Sequence, residues 1–250
     1  MPGSPAVVAF ALLLTFALPS SADIILDPEL IEEMLRQIAE HAAESREGRT
    51  REARADAVYH LGERAEALVS LLNRDIRSHG ESSLFAQLLL KRLRAYSIKI
   101  TFAEPDREYA YDLAAFREYL RRAPEGQWAA EARFKVIART FHDTLGVDPA
   151  TLVNTDLAGL LRAIAREEQF LVAYPGHERA KDVQFFLAVD YYRISQHTQD
   201  QATASEYAGR ARRALEQFRN RFPGSIEARA AEALLERLVT SEAHGSTPPN

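Results

Sequence analysis

Two short stretches constrain the fold of this chain more than anything else in it. They are Phe170-Leu171-Val172-Ala173-Tyr174-Pro175-Gly176 and Phe218-Arg219-Asn220-Arg221-Phe222-Pro223-Gly224. Each places an aromatic five positions before a proline, a second aromatic just before it and a glycine after it. Proline and glycine stop a helix. The two aromatics lie four apart, so they share one face of that helix's last turns. Five residues beyond each proline stands a small residue, Ala180 or Ala228, which the pattern places on the next helix. A looser copy precedes them: Tyr119, Pro124 and Ala129. The prolines are about 51 and 48 residues apart, the upper end of the spacing expected of an array of repeated units.

Apolar residues at helical spacing fill the segments between these turns. Asp27-Pro28 starts a helix carrying Ile31, Met34, Leu35, Ile38 and Ala42, with proline at the first helical position. Ser45 to Arg54 is a charged turn around Gly48. A helix over about 50–74 follows, with a narrow seam of Val58, Leu61, Ala65, Leu68 and Leu72. Another runs from Glu81 to about Tyr96. Ile98, Ile100 and Phe102 alternate with polar residues, which fits a short strand; with no partner strand evident, an extended connector ending at Pro105 is the preferred reading. From Asp106 onward the pattern is helical throughout. One helix carries Tyr109, Leu113, Phe116 and Leu120, and the next, about 127–143, carries Trp128, Phe134, Ile137 and Phe141. A third is capped by Thr155 or Asp156 and ends at Pro175. Then come a helix from Ala180 to about Ile194, one lined by Tyr207, Ala211, Leu215, Phe218 and Phe222, and a last one capped by Ser225 and reaching about Val239.

The expected fold is all-α: a tetratricopeptide-like helical-repeat solenoid of about nine helices. Helix pairs that cannot bury their apolar stripes alone would bury them against one another. The expected organisation is a signal peptide over 1–22, an N-terminal helical region over 23–105, the repeat region over 106–242 and a disordered tail over 243–250. The signal peptide rests on the apolar run Ala6 to Leu18, too short to span a bilayer, followed by Pro19 and a small-residue site at Ser20-Ser21-Ala22. The competing reading is a buried N-terminal helix. Export to the periplasm is therefore expected, full secretion being the alternative, with no transmembrane segment in the mature chain.

Composition narrows the function. A net charge of -5 gives no basic face for nucleic acid. Cysteine is absent, which removes disulfides, thiolate metal sites and a thiol nucleophile. The histidines, His41, His60, His79, His142, His177, His197 and His244, are scattered, and H-E-x-x-H does not occur. His60 and Glu63 share a helix face as a surface pair. Walker A, G-x-S-x-G and dinucleotide-binding signatures are also missing. Asp190 and Arg193 read as one of many solvated ion pairs. Tyr191-Tyr192 and Phe185-Phe186 leave two readings open. Neighbours on a helix point about 100° apart, so one of each pair can leave the core as a peptide-binding contact, or all four can pack. No catalytic, cofactor-binding or metal-ligating residue is nominated.

The phrases around Pro175 and Pro223 resemble the tetratricopeptide repeats of bacterial envelope proteins, the BamD-like outer-membrane assembly lipoproteins among them. Phe170, Tyr174, Pro175 and Ala180 carry the resemblance, as do Phe218, Phe222, Pro223 and Ala228; Tyr119, Pro124, Ala129 and Ala132 carry it in part. It covers roughly residues 107–240. It also extends to the repeat domain of the periplasmic cell-division coordinator associated with the Tol–Pal system. The chain departs from the lipoproteins in lacking their N-terminal Cys, which implies a soluble or peripherally held protein. Its repeat is longer than the usual period of about 34, with loops over 143–155 and 196–202 supplying the excess. The resemblance implies a non-catalytic scaffold that binds protein partners in the cell envelope, in outer-membrane biogenesis or envelope maintenance. The alternative is a cell-wall-acting enzyme or accessory domain on a helical superhelix, which needs a catalytic Glu in a cleft. A third reading is a structural subunit that oligomerises through helices within 29–74.

Overall fold

The computed structural model describes residues 28–79, 84–103, 108–145 and 157–245. Among these it contains nine helices and one hairpin. In chain order they are α1 (Pro28–Glu47), α2 (Arg51–His79), α3 (Leu84–Arg94), β1 (Ile100–Ala103), β2 (Glu108–Tyr111), α4 (Ala114–Arg122), α5 (Ala129–Leu145), α6 (Leu157–Ala173), α7 (Ala180–His197), α8 (Gln201–Arg221) and α9 (Ile226–Gly245). The protein is thus essentially all-helical, with neighbouring helices packed together. The proposed signal peptide, the cap at Thr155 or Asp156 and the last five residues lie outside the described residues.

Local chemistry explains the helix ends. Pro28 is the first helical residue of α1. The Thr50 hydroxyl accepts the Ala53 N–H at 3.0 Å and opens α2. Asp200 accepts the Thr203 N–H at 2.9 Å and opens α8. Ser225 accepts the Ala228 N–H at 3.1 Å, the cap expected from sequence. Two ends differ from expectation: α2 runs on to His79 and α9 to Gly245. The segment assigned to a tail from 243 therefore begins inside a helix.

The connector before Pro105 is a strand. Ile100–Ala103 pairs antiparallel with Glu108–Tyr111, Ile100 opposite Tyr111 and Phe102 opposite Tyr109. The helix expected to carry Tyr109 starts only at Ala114. Asn73 of α2 explains why Tyr109 is extended. Its amide donates to the Tyr109 carbonyl at 2.9 Å and its oxygen accepts the Tyr109 N–H at 2.6 Å, satisfying both main-chain groups that face away from β1. Leu113 then takes a left-handed conformation (φ 58°) and redirects the chain into α4, whose first turn is held by the Ala115 N–H donating to the Tyr111 hydroxyl at 2.8 Å.

The three proline turns share one hydrogen-bond pattern. In the first, Ala123 N–H donates to Tyr119 O, Gly126 N–H to Ala123 O and Ala129 N–H to Gly126 O, at 2.8, 3.1 and 2.9 Å. In the second, Tyr174 donates to Phe170, His177 to Tyr174 and Ala180 to His177, at 2.8, 3.1 and 2.9 Å. In the third, Phe222 donates to Phe218 and Ser225 to Phe222, at 2.9 and 3.3 Å, and the Ser225 hydroxyl takes the last place. Tyr119, Phe170 and Phe218 are buried, and so are Ala129, Ala180 and Ala228. The small residue lets the second helix come close to the aromatic end of the first. Of the three turn glycines, Gly126, Gly176 and Gly224, only Gly224 has a positive φ, 80°, so the third turn alone needs its glycine for backbone reasons.

Two apolar cores result. The first joins α1, α2, α3, the hairpin and α4 and ends on Ala129 and Ala132 of α5. The second begins on the same helix with Phe134, Ile137 and Phe141 and continues through α6 to α9. The division of the cores therefore lies within α5. Gly62 marks a close crossing of α2 and α4 in the first core. A Cβ there would sit 2.9 Å from two carbons of the buried Phe116 ring, which Tyr59 holds from the side at 5.5 Å. Gly62→Ala is expected to lower the unfolding free energy by about 1–3 kcal/mol, measured by urea denaturation, because neither ring can yield without disturbing the other. An unchanged midpoint would mean that α2 and α4 are not in this close contact.

Candidate functional site

Helices α5, α7 and α9 touch in sequence, with α6 and α8 packed beside them. Ion pairs tie the successive members together. Arg179, at the start of α7, lies 3.9 Å from Glu131 of α5 and stacks over Phe134 at 5.0 Å. Lys181 reaches Glu227 of α9 at 2.9 Å. Lys135 of α5 extends the row to Glu66 of α2 at 2.7 Å. All six side chains are partly buried, which fixes their geometry without removing their charges from water. This row is a structural seam.

The charged residues within the second core are different. Glu167 of α6 and Asp190 of α7 are each only 1% exposed, and Arg193 is 6% exposed. Arg193 donates to one Asp190 oxygen at 3.0 Å. Oε2 of Glu167 and Oδ2 of Asp190 are buried without a hydrogen-bond partner. Two carboxyls thus share the field of one guanidinium. Burial pushes the Glu167 carboxyl well above its ordinary value, the Asp190 charge pushes it further, and Arg193 opposes both. Asp190 is also raised by burial, against the pull of Arg193. The consistent assignment is a neutral Glu167 beside an Asp190–Arg193 ion pair. Asp190–Arg193 is therefore not the solvated pair that its i, i+3 spacing suggested: α7 is covered by α6 and by α8, so the face carrying both residues is interior. Glu167 went unnoticed in the sequence although the signal was present. It falls in register with Leu160, Ala163, Ile164 and Phe170, a charge within an apolar stripe.

Neither buried carboxyl lines either of two clefts formed by the described residues. One, of about 480 Å³, lies between the Pro124–Gly126 turn and the end of α6. Ala165, Val172, Ala173 and Tyr174 supply its apolar lining; Glu125, Arg133, Glu168 and Gln169 supply its polar groups. The cleft continues into an exposed stripe on α6. Leu157, Leu161 and Val172 are 38%, 42% and 83% exposed, and Ala165 lies between them on the same side. Over this length the stripe is roughly 22 Å long at 1.5 Å per residue. Glu168, at i+11 on the same face, stands between Ala165 and Val172 and accepts the Tyr191 hydroxyl at 2.6 Å, and Arg210 stacks over Tyr207 at 5.1 Å.

The other residues singled out in the sequence are placed as follows. Phe185, Phe186 and Tyr191 are buried, and Tyr192 is half-buried against the same core, so both aromatic pairs are packing. His60 Nδ1 lies 2.8 Å from Glu63 Oε2, as the shared face implied, and His41 stands 5.5 Å from the His60 ring. Burial, then the charges of His60 and Arg64, lower the His41 pKa. His177 packs edge-on against Phe170 in the second turn. Among the described residues no group of three or more His, Asp or Glu side chains is placed to hold a metal ion, and no helix is long and apolar enough to cross a membrane. No known protein-family model matches the chain, and no curated protein is significantly similar to it.

A carboxyl whose folded pKa is raised contributes stability that is complete below its unfolded value, 4.5 for Glu167, and is lost as pH climbs through the folded value. Glu167→Gln, a neutral isostere, should match the native protein near pH 4.5. It should then become the more stable of the two as pH rises, by about 1–3 kcal/mol at the alkaline end. Urea midpoints of both proteins from pH 4.5 to 9 test this. A difference that does not vary with pH would mean that Glu167 is ionised and paired.

Proposed function

We propose that this protein is a tetratricopeptide-like helical-repeat module of the bacterial cell envelope, exported to the periplasm, that binds a protein partner and performs no catalysis. The observation that carries the interaction reading is the exposed apolar stripe of α6 running into the cleft at the Pro124–Gly126 turn. Apolar side chains at i, i+4, i+8 and i+15 on one helix face suit an amphipathic partner segment laid along it. The repeat reading is supported by the threefold turn, with its buried aromatic, its proline and its buried alanine. A role in outer-membrane biogenesis or envelope maintenance follows from the resemblance of these turns to the BamD-like repeats. The cell-wall enzyme is the weaker reading. A catalytic carboxyl has to reach substrate, whereas Glu167 and Asp190 are sealed in the core and line neither cleft.

Affinity capture from envelope extracts tests the proposal when run with the native protein, a charge-matched control and the double variant Leu161→Asp/Val172→Asp. Both positions are exposed, so the variant should keep its stability within about 0.5 kcal/mol. A defined partner should be enriched by the native protein, and its recovery should fall at least about tenfold with the variant. Equal recovery by all three baits, or no enrichment, would remove the interaction reading. Export has its own readout: intact mass of the protein from the periplasmic fraction should correspond to a chain beginning at Asp23.

A further inference from the structure

The two edges of the β1–β2 hairpin are treated differently by the fold. The outer edge of β2 is closed by Asn73, which takes both main-chain groups of Tyr109. That contact fixes the phase of the ladder. Tyr109 faces away from β1, so its opposite number, Phe102, faces away from β2; by the alternation of antiparallel pairing the same holds for Tyr111 and Ile100. The Asp112 N–H, donating to the Lys99 carbonyl at 3.2 Å, gives the same phase independently. The N–H and C=O groups of Ile100 and of Phe102 therefore point to the outer edge of β1. No side chain among the described residues does for them what Asn73 does for Tyr109.

Beside this edge lies a cleft of about 360 Å³ between the end of α3 and the strand. Leu90, Ile98 and Ile100 supply its apolar lining, Arg94 and Lys99 its charge. Both cations are exposed, and neither has an ion-pair partner among the described residues. Their neighbours contrast with them: Arg92 is paired with Glu32, and Arg77 with Glu108 at 2.9 Å. A chain of net charge -5 thus presents a positive rim at this open strand edge.

We infer that the open edge of β1, with the cleft beside it, docks an acidic extended segment of a partner protein, which adds to the hairpin as a third strand. Main-chain bonds to Ile100 and Phe102 supply the pairing, the cleft takes one apolar side chain, and Arg94 and Lys99 select for acidic residues. A second copy of this hairpin fits poorly as occupant, because edge-to-edge pairing would bring the same cations toward each other. This surface is separate from the α6 stripe, and either can fail without the other.

The test uses the full chain, labelled for amide NMR, and an eight-residue capped peptide alternating Glu and Val. Two controls accompany it: a Lys–Val counterpart and a Glu–Val copy N-methylated on every backbone amide. At saturating Glu–Val peptide, hydrogen exchange at the Ile100 and Phe102 amides should slow at least about tenfold, while the Leu161→Asp/Val172→Asp variant behaves the same. Both control peptides should bind at least about tenfold more weakly. Arg94→Glu/Lys99→Glu should reverse the preference to the Lys–Val peptide. Unchanged exchange at Ile100 and Phe102, or equal binding of the N-methylated peptide, would overturn the proposal. So would a concentration-dependent dimer that protects these amides without peptide, since the edge would then belong to a second copy.

Discussion

The structure depends on one helix having two apolar faces. Ala129 and Ala132 of α5 belong to the first core, and Phe134, Ile137 and Phe141 to the second. At 100° per residue, Ala132 and Phe134 point to nearly opposite sides of the helix. Burying either face alone would leave the other in water. The small residues face the crowded side, where Tyr119 and Tyr59 already fill the space; the large ones face the side that α6 and α7 must fill. Trp128, just before the helix, stacks its ring on Tyr59 at 5.0 Å, and its main-chain N–H donates to the Tyr119 hydroxyl at 3.0 Å, which fixes where α5 begins.

The recurrence of the proline turn follows from the same economy of backbone groups. A helix that ends leaves carbonyls without partners. In each turn the carbonyl of the residue before the proline, Ala123, Tyr174 or Phe222, accepts an N–H from a residue that leads into the next helix, so stopping one helix starts another. The differences between copies are as informative as the likenesses. In the second and third turns a second aromatic, Tyr174 or Phe222, packs on the first at 5.2 or 5.0 Å. In the first turn Ala123 stands there instead, and the Tyr119 hydroxyl supplies a hydrogen bond in its place. The two surfaces proposed for docking, the outward stripe of α6 and the open edge of β1, do not repeat.

Much of the architecture was legible in the sequence because it rests on local signals. Helical spacing, Pro28, Ser225 and the proline turns act within a few residues of where they stand. The hairpin was not legible, for a physical reason. Tyr109, Leu113, Phe116 and Leu120 are spaced as a helix is, and what keeps Tyr109 extended is Asn73, far away in the chain. The buried cluster of Glu167, Asp190 and Arg193 failed to show for a related reason. An i, i+3 pair of opposite charges looks the same on an exposed and on a covered face, and what covers α7 is its packing between α6 and α8. The one local sign, a glutamate in step with Leu160, Ile164 and Phe170, was outweighed by the many harmless carboxylates around it.

Whether the two cores act as one structure through α5 can be measured directly, because the chain has a single tryptophan and it reports on the first core. Phe218 lies in the second core, remote from it. Urea unfolding of the native protein and of Phe218→Ala, followed both by Trp128 fluorescence and by helix circular dichroism, separates the alternatives. Coupling through α5 predicts that the two signals coincide in each protein and that the substitution moves both midpoints down together. A fluorescence transition left in place while the helix signal splits into two steps would contradict it.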